Sequence, residues 1–78
     1  MIDEHKIRYD YLERLGIEFG TEKPSHTDKL RLFNDLVAEC VGEGMEQKNA
    51  KKFVQKSLHA MRHEVPMDEF RKIMPVII

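Results

Sequence analysis

The sequence predicts an all-α protein, a small compact bundle of three to four helices with short loops and an apolar C-terminal tail. Apolar residues recur at helical spacing in four separate segments of the chain. The four glycines and three prolines stand singly and fall between these segments. No stretch alternates apolar and polar residues for long enough to compete as a strand. The 78 residues contain no internal repeat, so residues 1–78 are expected to form a single helical domain.

The first helix is expected over residues 3–15, where apolar residues recur every four positions. Its apolar stripe consists of Ile7, Tyr11 and Leu15, with Leu12 alongside. Gly16 stands where a residue in the left-handed conformation would end this helix. Residues 16–24 then alternate apolar and polar side chains over too short a stretch for a helix. We therefore expect a loop that tucks Ile17 and Phe19 under the helices.

The second helix is expected to begin at Ser25, because Asp28 follows three residues later in a pattern typical of a capping box. It should run to about Val41. Its apolar residues fill roughly half of the helical cylinder, a wider arc than a surface helix needs. They are Leu30, Leu32, Phe33, Leu36, Val37, Cys40 and Val41. This helix is therefore predicted to be the most buried, with neighbours on more than one side.

A third helix is expected to follow Gly44 and to reach about Glu64. One face of it carries Ala50, Phe53, Val54, Ser57, Leu58, Ala60 and Met61. Pro66 is favourable at the first position of a short fourth helix, and Pro75 ends that helix. The apolar side of the fourth helix consists of Met67, Phe70, Ile73 and Met74. Residues 74–78 are expected to form an apolar tail, β-branched at 76–78, that either folds back on the core or lies against another chain.

The net charge of −1 conceals a segregation of charge along the chain. Residues 1–46 carry six basic and eleven acidic side chains, whereas residues 47–65 carry five basic and one acidic. On a helix, the cations and histidines of the second stretch share an arc of about 140° opposite the apolar face. They are Lys48, Lys51, Lys52, Lys56, His59, Arg62 and His63. The third helix is therefore predicted to present a positive face to solvent.

This positive face has two interpretations. It either keeps a small protein soluble or docks onto an acidic partner protein or onto phosphates. Lysine outnumbers arginine there by four to one, and no aromatic residue is interleaved to stack a base, which disfavours nucleic acid. Ala38 and Gly42 have the spacing of the alanine and turn glycine of a helix-turn-helix. Lys48 and Lys51 stand where that motif needs apolar residues, so the sequence does not predict it.

No group of residues predicts catalysis, a metal site or a cofactor. His59 and His63 are four apart, as paired zinc ligands are, but Ala60 stands where a zinc enzyme has its glutamate. Cys40 belongs to the apolar arc of the second helix, so we expect its thiol to point away from these histidines and to have a raised pKa. A single cysteine cannot form an internal disulfide, which favours a reducing compartment, the cytoplasm.

The sequence thus favours a non-enzymatic intracellular module, a regulator, inhibitor or adaptor that docks its basic helix onto an acidic protein. Nucleic-acid binding through the same helix and assembly into a helical homo-oligomer are the alternatives.

Membrane insertion is not expected, because the longest apolar run, residues 76–78, is far too short to span a bilayer. Tyr9 lies away from the apolar stripe of the first helix, where it either anchors an interface or packs against residues 16–24. The small size and high charge would suit a protein of a bacteriophage or mobile element.

Overall fold

The computed structural model describes residues 3–19 and 24–74. These residues form four α-helices and one turn of 3₁₀-helix, with no strand in the described ranges, which confirms the all-α prediction. The elements are α1 (Glu4–Phe19), α2 (His26–Gly42), α3 (Gln47–His59), the 3₁₀ turn (Ala60–His63) and α4 (Met67–Ile73).

The core lies between α1, α2 and α3, and α3 packs against both of the other two helices. Each helix contributes the apolar side chains that share one of its faces, as the spacing of four and three residues requires. The buried apolar residues of these helices are Ile7, Tyr11, Leu15, Leu32, Phe33, Leu36, Val37, Cys40, Ala50, Val54 and Leu58. Met61 of the 3₁₀ turn and Met74, which follows α4, complete the core.

Helix α1 is longer than the sequence predicts, and the expected end at Gly16 is wrong. The helix continues to Phe19, and Gly16 does not have a positive φ. A glycine inside a helix costs only about 1 kcal/mol relative to alanine, which the hydrogen bonds of a further turn can outweigh. Ile17 is 74% exposed on this helix and is not tucked under its neighbours as expected. The side chain of Phe19 and residues 20–23 lie outside the described part.

Helix α2 begins as predicted. Ser25 is its N-cap, and the Ser25 Oγ accepts a hydrogen bond from the backbone N–H of Asp28 at 3.1 Å. Most of the predicted apolar arc is buried, but Leu30 is only partly buried and Val41 is exposed. The arc is wider than the surface that α1 and α3 cover, so its edge remains in solvent.

The end of α2 depends on Gly44, whose φ of +108° favours glycine. Its N–H donates to the Val41 carbonyl at 3.0 Å, and the next N–H, of Met45, donates to the Cys40 carbonyl at 3.2 Å. Gly44→Ala is expected to lower the free energy of unfolding by about 1 kcal/mol or more, because the new Cβ strains this conformation. Urea denaturation followed by circular dichroism measures the change.

A matched control for this prediction is Gly42→Ala. Gly42 is the last residue of α2, has no positive φ, and leaves open space where a Cβ would stand. Alanine there is expected to raise the free energy of unfolding by about 0.4–1 kcal/mol, because it restricts the unfolded chain. Equal effects at both positions would contradict the role given to the backbone of Gly44.

The fourth helix exists, but its predicted apolar side is only partly covered. Pro66 is the N-cap of α4, one position before the predicted one, and Met67 is exposed. Phe70 and Ile73 are partly buried against the core, and Met74 is buried. Helix α4 therefore docks by its C-terminal end, which leaves Met67 at the opposite end in solvent.

Two side chains from other helices hold the last turn of α4. The Tyr11 hydroxyl of α1 donates a hydrogen bond to the Ile73 carbonyl. The Lys29 ammonium of α2 donates to the Lys72 carbonyl at 2.9 Å. Burial raises the pKa of the Tyr11 hydroxyl above its ordinary value, so it remains a protonated donor at neutral pH. These bonds satisfy carbonyls that a helix end leaves without an intrahelical partner. Of the predicted tail, Met74 is buried in the core, and residues 75–78 lie outside the described part.

A candidate basic docking face

The candidate site is the outer surface of α3 and of the 3₁₀ turn. The buried side of α3 holds Ala50, Val54, Ser57 and Leu58 against the rest of the bundle. The opposite side therefore turns outward, and all seven residues singled out from the sequence are exposed there. We call this set the basic face: Lys48, Lys51, Lys52, Lys56, His59, Arg62 and His63. Two of them, Lys56 and His59, lie in the last turn of α3, where the helix dipole favours positive charge.

The basic face includes a shallow groove of about 460 Å³. It is lined by Lys52, Gln55, Lys56, His59, Ala60, Arg62 and His63. The structure therefore brings five of the seven predicted residues around one concavity, and it places Lys48 and Lys51 outside that lining. The chain changes from α-helix to 3₁₀-helix at Ala60, so the side chains that follow are rotated relative to those of α3.

The positive charge of this face is poorly compensated within the described part of the molecule. Lys56 is the one cation of the face with a carboxylate within 4.0 Å among the described residues, at 4.0 Å from Glu4 Oε1. The remaining cations have no such neighbour there. Since exposed pairs contribute about 1 kcal/mol or less, this single contact does not neutralise the face. The groove is thus a place where an anionic group would meet several cations at once.

A buried arginine fixes α1 beside this face. The Arg8 guanidinium is nearly fully buried, with its Nε 3.3 Å from Glu64 Oε1 and its Nη1 3.9 Å from Glu4 Oε2. Its Nη2 lies 2.8 Å from His5 Nδ1. Guanidinium nitrogens only donate, so Nδ1 is the acceptor of this bond. Because Glu4 also approaches Lys56, this network joins the start of α1 to the end of α3.

Sequence reasoning missed Arg8, although a signal for it exists. Arg8 precedes Tyr11 by three residues and Leu15 by seven, which places it on the core side of α1. A charged residue at such a position is buried when partners surround it, and here two carboxylates and an imidazole do so. One of those partners, Glu64, follows the 3₁₀ turn, and the sequence alone does not show that it lies near α1.

An aromatic side chain from α4 borders the basic face. The rings of Phe70 and His59 lie with centroids 6.3 Å apart and planes inclined by 53°. Phe70 is partly buried against the core. Sequence inspection of α3 alone finds no aromatic neighbour for these cations, because Phe70 comes from the next helix.

The cysteine lies away from the basic face. Cys40 is fully buried in the core, whereas His59 and His63 are exposed. Burial, and then the charges of Glu39 and Glu43, raise the pKa of the Cys40 thiol, which therefore stays protonated at neutral pH. Within residues 3–19 and 24–74, no three side chains of His, Cys, Asp or Glu lie together as metal ligands would.

None of the described helices is both long and apolar enough to cross a bilayer. Comparison of the chain with known protein families, with curated proteins and with solved structures finds no match. The residues of the basic face and their surroundings are therefore the basis on which a function can be assigned.

Proposed function

We propose that this chain is a non-enzymatic interaction module, a regulator, inhibitor or adaptor, that binds an acidic partner protein through the basic face. The observation that carries this proposal is the set of exposed cations on one helical surface, with a single carboxylate contact among the described residues. Structural ion pairs would compensate such charges inside the molecule. Charges left uncompensated are available to carboxylates on another protein.

The distribution of charge over the rest of the chain also supports an acidic partner protein. Residues 1–46 carry a net charge of −5, from six basic and eleven acidic side chains, so the basic face is the one strongly positive stretch. A partner with an acidic patch is attracted to this face and repelled by the net negative charge of residues 1–46. Such a field orients the encounter and raises the association rate, and salt weakens it.

A protein partner fits this face better than nucleic acid does. Lysine provides a hydrated point charge that suits scattered carboxylates, whereas planar arginine is the usual reader of bases and phosphates. The chain as a whole has an isoelectric point near 6.4, below the range typical of dedicated nucleic-acid domains. Phe70, the aromatic ring that lies against His59, is partly buried, which limits its use for stacking a base.

The proposal includes a reducing compartment, the cytoplasm. Cys40 is a free thiol that is fully buried in the core. A reducing compartment keeps such a thiol unmodified without a disulfide partner.

The test of the proposed function is charge reversal on the basic face. The triple variant Lys51→Glu, Lys52→Glu and Lys56→Glu is expected to fold normally, because all three side chains are exposed. It is expected to lose the acidic proteins that the wild-type chain captures from a cell lysate. Titration calorimetry with the identified partner at several salt concentrations then measures the loss, expected to exceed about a hundredfold for three reversed charges.

A matched control reverses the same number of charges elsewhere: Arg31→Glu, Arg71→Glu and Lys72→Glu, also at exposed positions. This control should retain the partner, since net charge changes equally but the basic face is intact. Unchanged binding by the first variant would mean that the lysines only solvate the surface. Retention of nuclease-sensitive material instead of protein, with a steep salt dependence, would favour the nucleic-acid alternative.

A further inference from the structure

Helix α1 exposes three large apolar side chains outside its buried stripe, among them Leu12, which the sequence places alongside that stripe. Tyr9 is 66% exposed, Leu12 is 40% exposed and Ile17 is 74% exposed. These are three of the five large apolar side chains exposed in the described part of the chain. With the residues between them they form a surface that we call the α1 outer face: Lys6, Tyr9, Leu12, Glu13, Gly16 and Ile17.

The fold does not require these three exposed apolar side chains. The core side of α1 is supplied by Ile7, Tyr11 and Leu15, which are all buried. One apolar stripe is enough for a helix on the surface of a bundle, and the opposite side is ordinarily polar. A cluster of exposed apolar side chains on a small protein is instead typical of an interaction surface.

The charges that flank Tyr9 and Leu12 match a second copy of the same face. Lys6 and Glu13 have opposite charges and are seven residues apart, or two helical turns. In an antiparallel pair of α1 helices, Lys6 of each copy can therefore meet Glu13 of the other. The midpoint between Lys6 and Glu13 lies within one residue of the midpoint between Tyr9 and Leu12. A single two-fold axis near this midpoint therefore aligns Lys6 of each copy with Glu13 of the other. The same axis places Tyr9 of each copy near Leu12 of the other.

The side chains that border the axis are available for this contact. Glu13 has no ion pair or hydrogen bond among the described residues, and it is exposed. Lys6 pairs with Asp10 at 3.3 Å on its own helix, but its side chain remains 54% exposed and can bridge both carboxylates. Gly16 leaves open space at its Cβ position, so it does not hold the second helix away.

We propose that two copies of this chain associate through their α1 outer faces, antiparallel and about a two-fold axis. An isologous contact of this kind needs only one self-complementary surface and closes at the dimer. The basic face lies on α3 and is not part of this contact. The dimer therefore presents two basic faces. A partner with repeated acidic patches would bind both faces at once, and more tightly than it binds one.

Sedimentation equilibrium over a concentration series tests the dimer and its register. Lys6→Glu and Glu13→Lys are each expected to weaken dimerisation about tenfold, because two opposite-charge contacts become like-charge contacts. An equimolar mixture of these two variants is expected to dimerise as the wild type does, since every contact then joins opposite charges. The chain that carries both changes should also dimerise normally.

Two further variants separate this contact from other effects. Leu12→Lys is expected to yield a monomer, whereas Met67→Lys, at an exposed apolar residue of α4, should leave the dimer unchanged. Circular dichroism confirms that each variant is folded. A wild-type chain that stays monomeric up to millimolar concentration would overturn the proposal, and that result would mean that another segment or another protein covers the face. Failure of the mixture to dimerise would overturn the antiparallel register.

Discussion

Leu58→Ala is expected to leave a large fraction of the protein unfolded at room temperature. Leu58 is fully buried on α3, the helix that packs against both α1 and α2. Removal of a buried leucine costs about 2–5 kcal/mol, from the lost burial and from the cavity that remains. A chain of this size has a net stability of only about 3–5 kcal/mol from its core. Urea denaturation followed by circular dichroism is expected to show a midpoint near zero urea.

The same substitution at Leu12 provides the control. Leu12 is 40% exposed, so its truncation leaves no cavity and is expected to cost under about 1 kcal/mol. The comparison is made on dilute protein, at which the chain is monomeric and the α1 outer face is in solvent. Similar losses for the two variants would mean that Leu58 does not fill the core as its burial indicates.

Helices α2 and α3 could be predicted from the sequence because their signals are local. Ser25 caps α2 because its hydroxyl accepts a hydrogen bond from the backbone N–H of Asp28, three residues later. The apolar face of α3 and the opposite basic face both follow from a period of 3.6 residues. For this reason the exposure of all seven residues of the basic face could be predicted without coordinates.

The predictions from sequence fail where the packing of the helices outweighs a local sequence signal. Gly16 resembles a helix end, yet α1 continues past it because the cost of one glycine is small. Met67 has the spacing of a buried residue, but α4 docks by its C-terminal end and leaves Met67 in solvent. The groove in the basic face depends on the change to 3₁₀-helix at Ala60, which the apolar period does not reveal.

Contacts between distant parts of the chain could not be predicted at all. The position of α4 depends on Tyr11 and Lys29, which are 62 and 43 residues away from the carbonyls that they bind. The burial of Arg8 depends on Glu64, which directly follows the 3₁₀ turn. No helical period contains such information, because it arises only when the elements pack.

Tyr11→Phe is expected to loosen α4 selectively. The substitution keeps the buried ring and removes only the hydroxyl that donates to the Ile73 carbonyl. A buried carbonyl that is left without its hydrogen-bond donor lowers stability by about 1–3 kcal/mol. Helix α4 contains no fully buried residue, so it has little apolar packing to offset this loss. Hydrogen exchange measured by mass spectrometry is expected to rise in residues 70–74 and to remain slow in the middle of α2.

Tyr9→Phe removes a hydroxyl from the same helix at an exposed position, where water replaces any lost partner. It should therefore leave the exchange of α4 unchanged. Lys29→Met tests the second bond, from the ammonium to the Lys72 carbonyl, and is expected to accelerate the same residues. If Tyr11→Phe instead accelerated exchange equally in α2 and α3, the hydroxyl would stabilise the whole bundle.

Since Phe70 of α4 lies against His59, a loosened α4 should also alter the chemical environment of His59 in NMR spectra. The docking of α4 and the shape of the basic face are therefore linked through that contact.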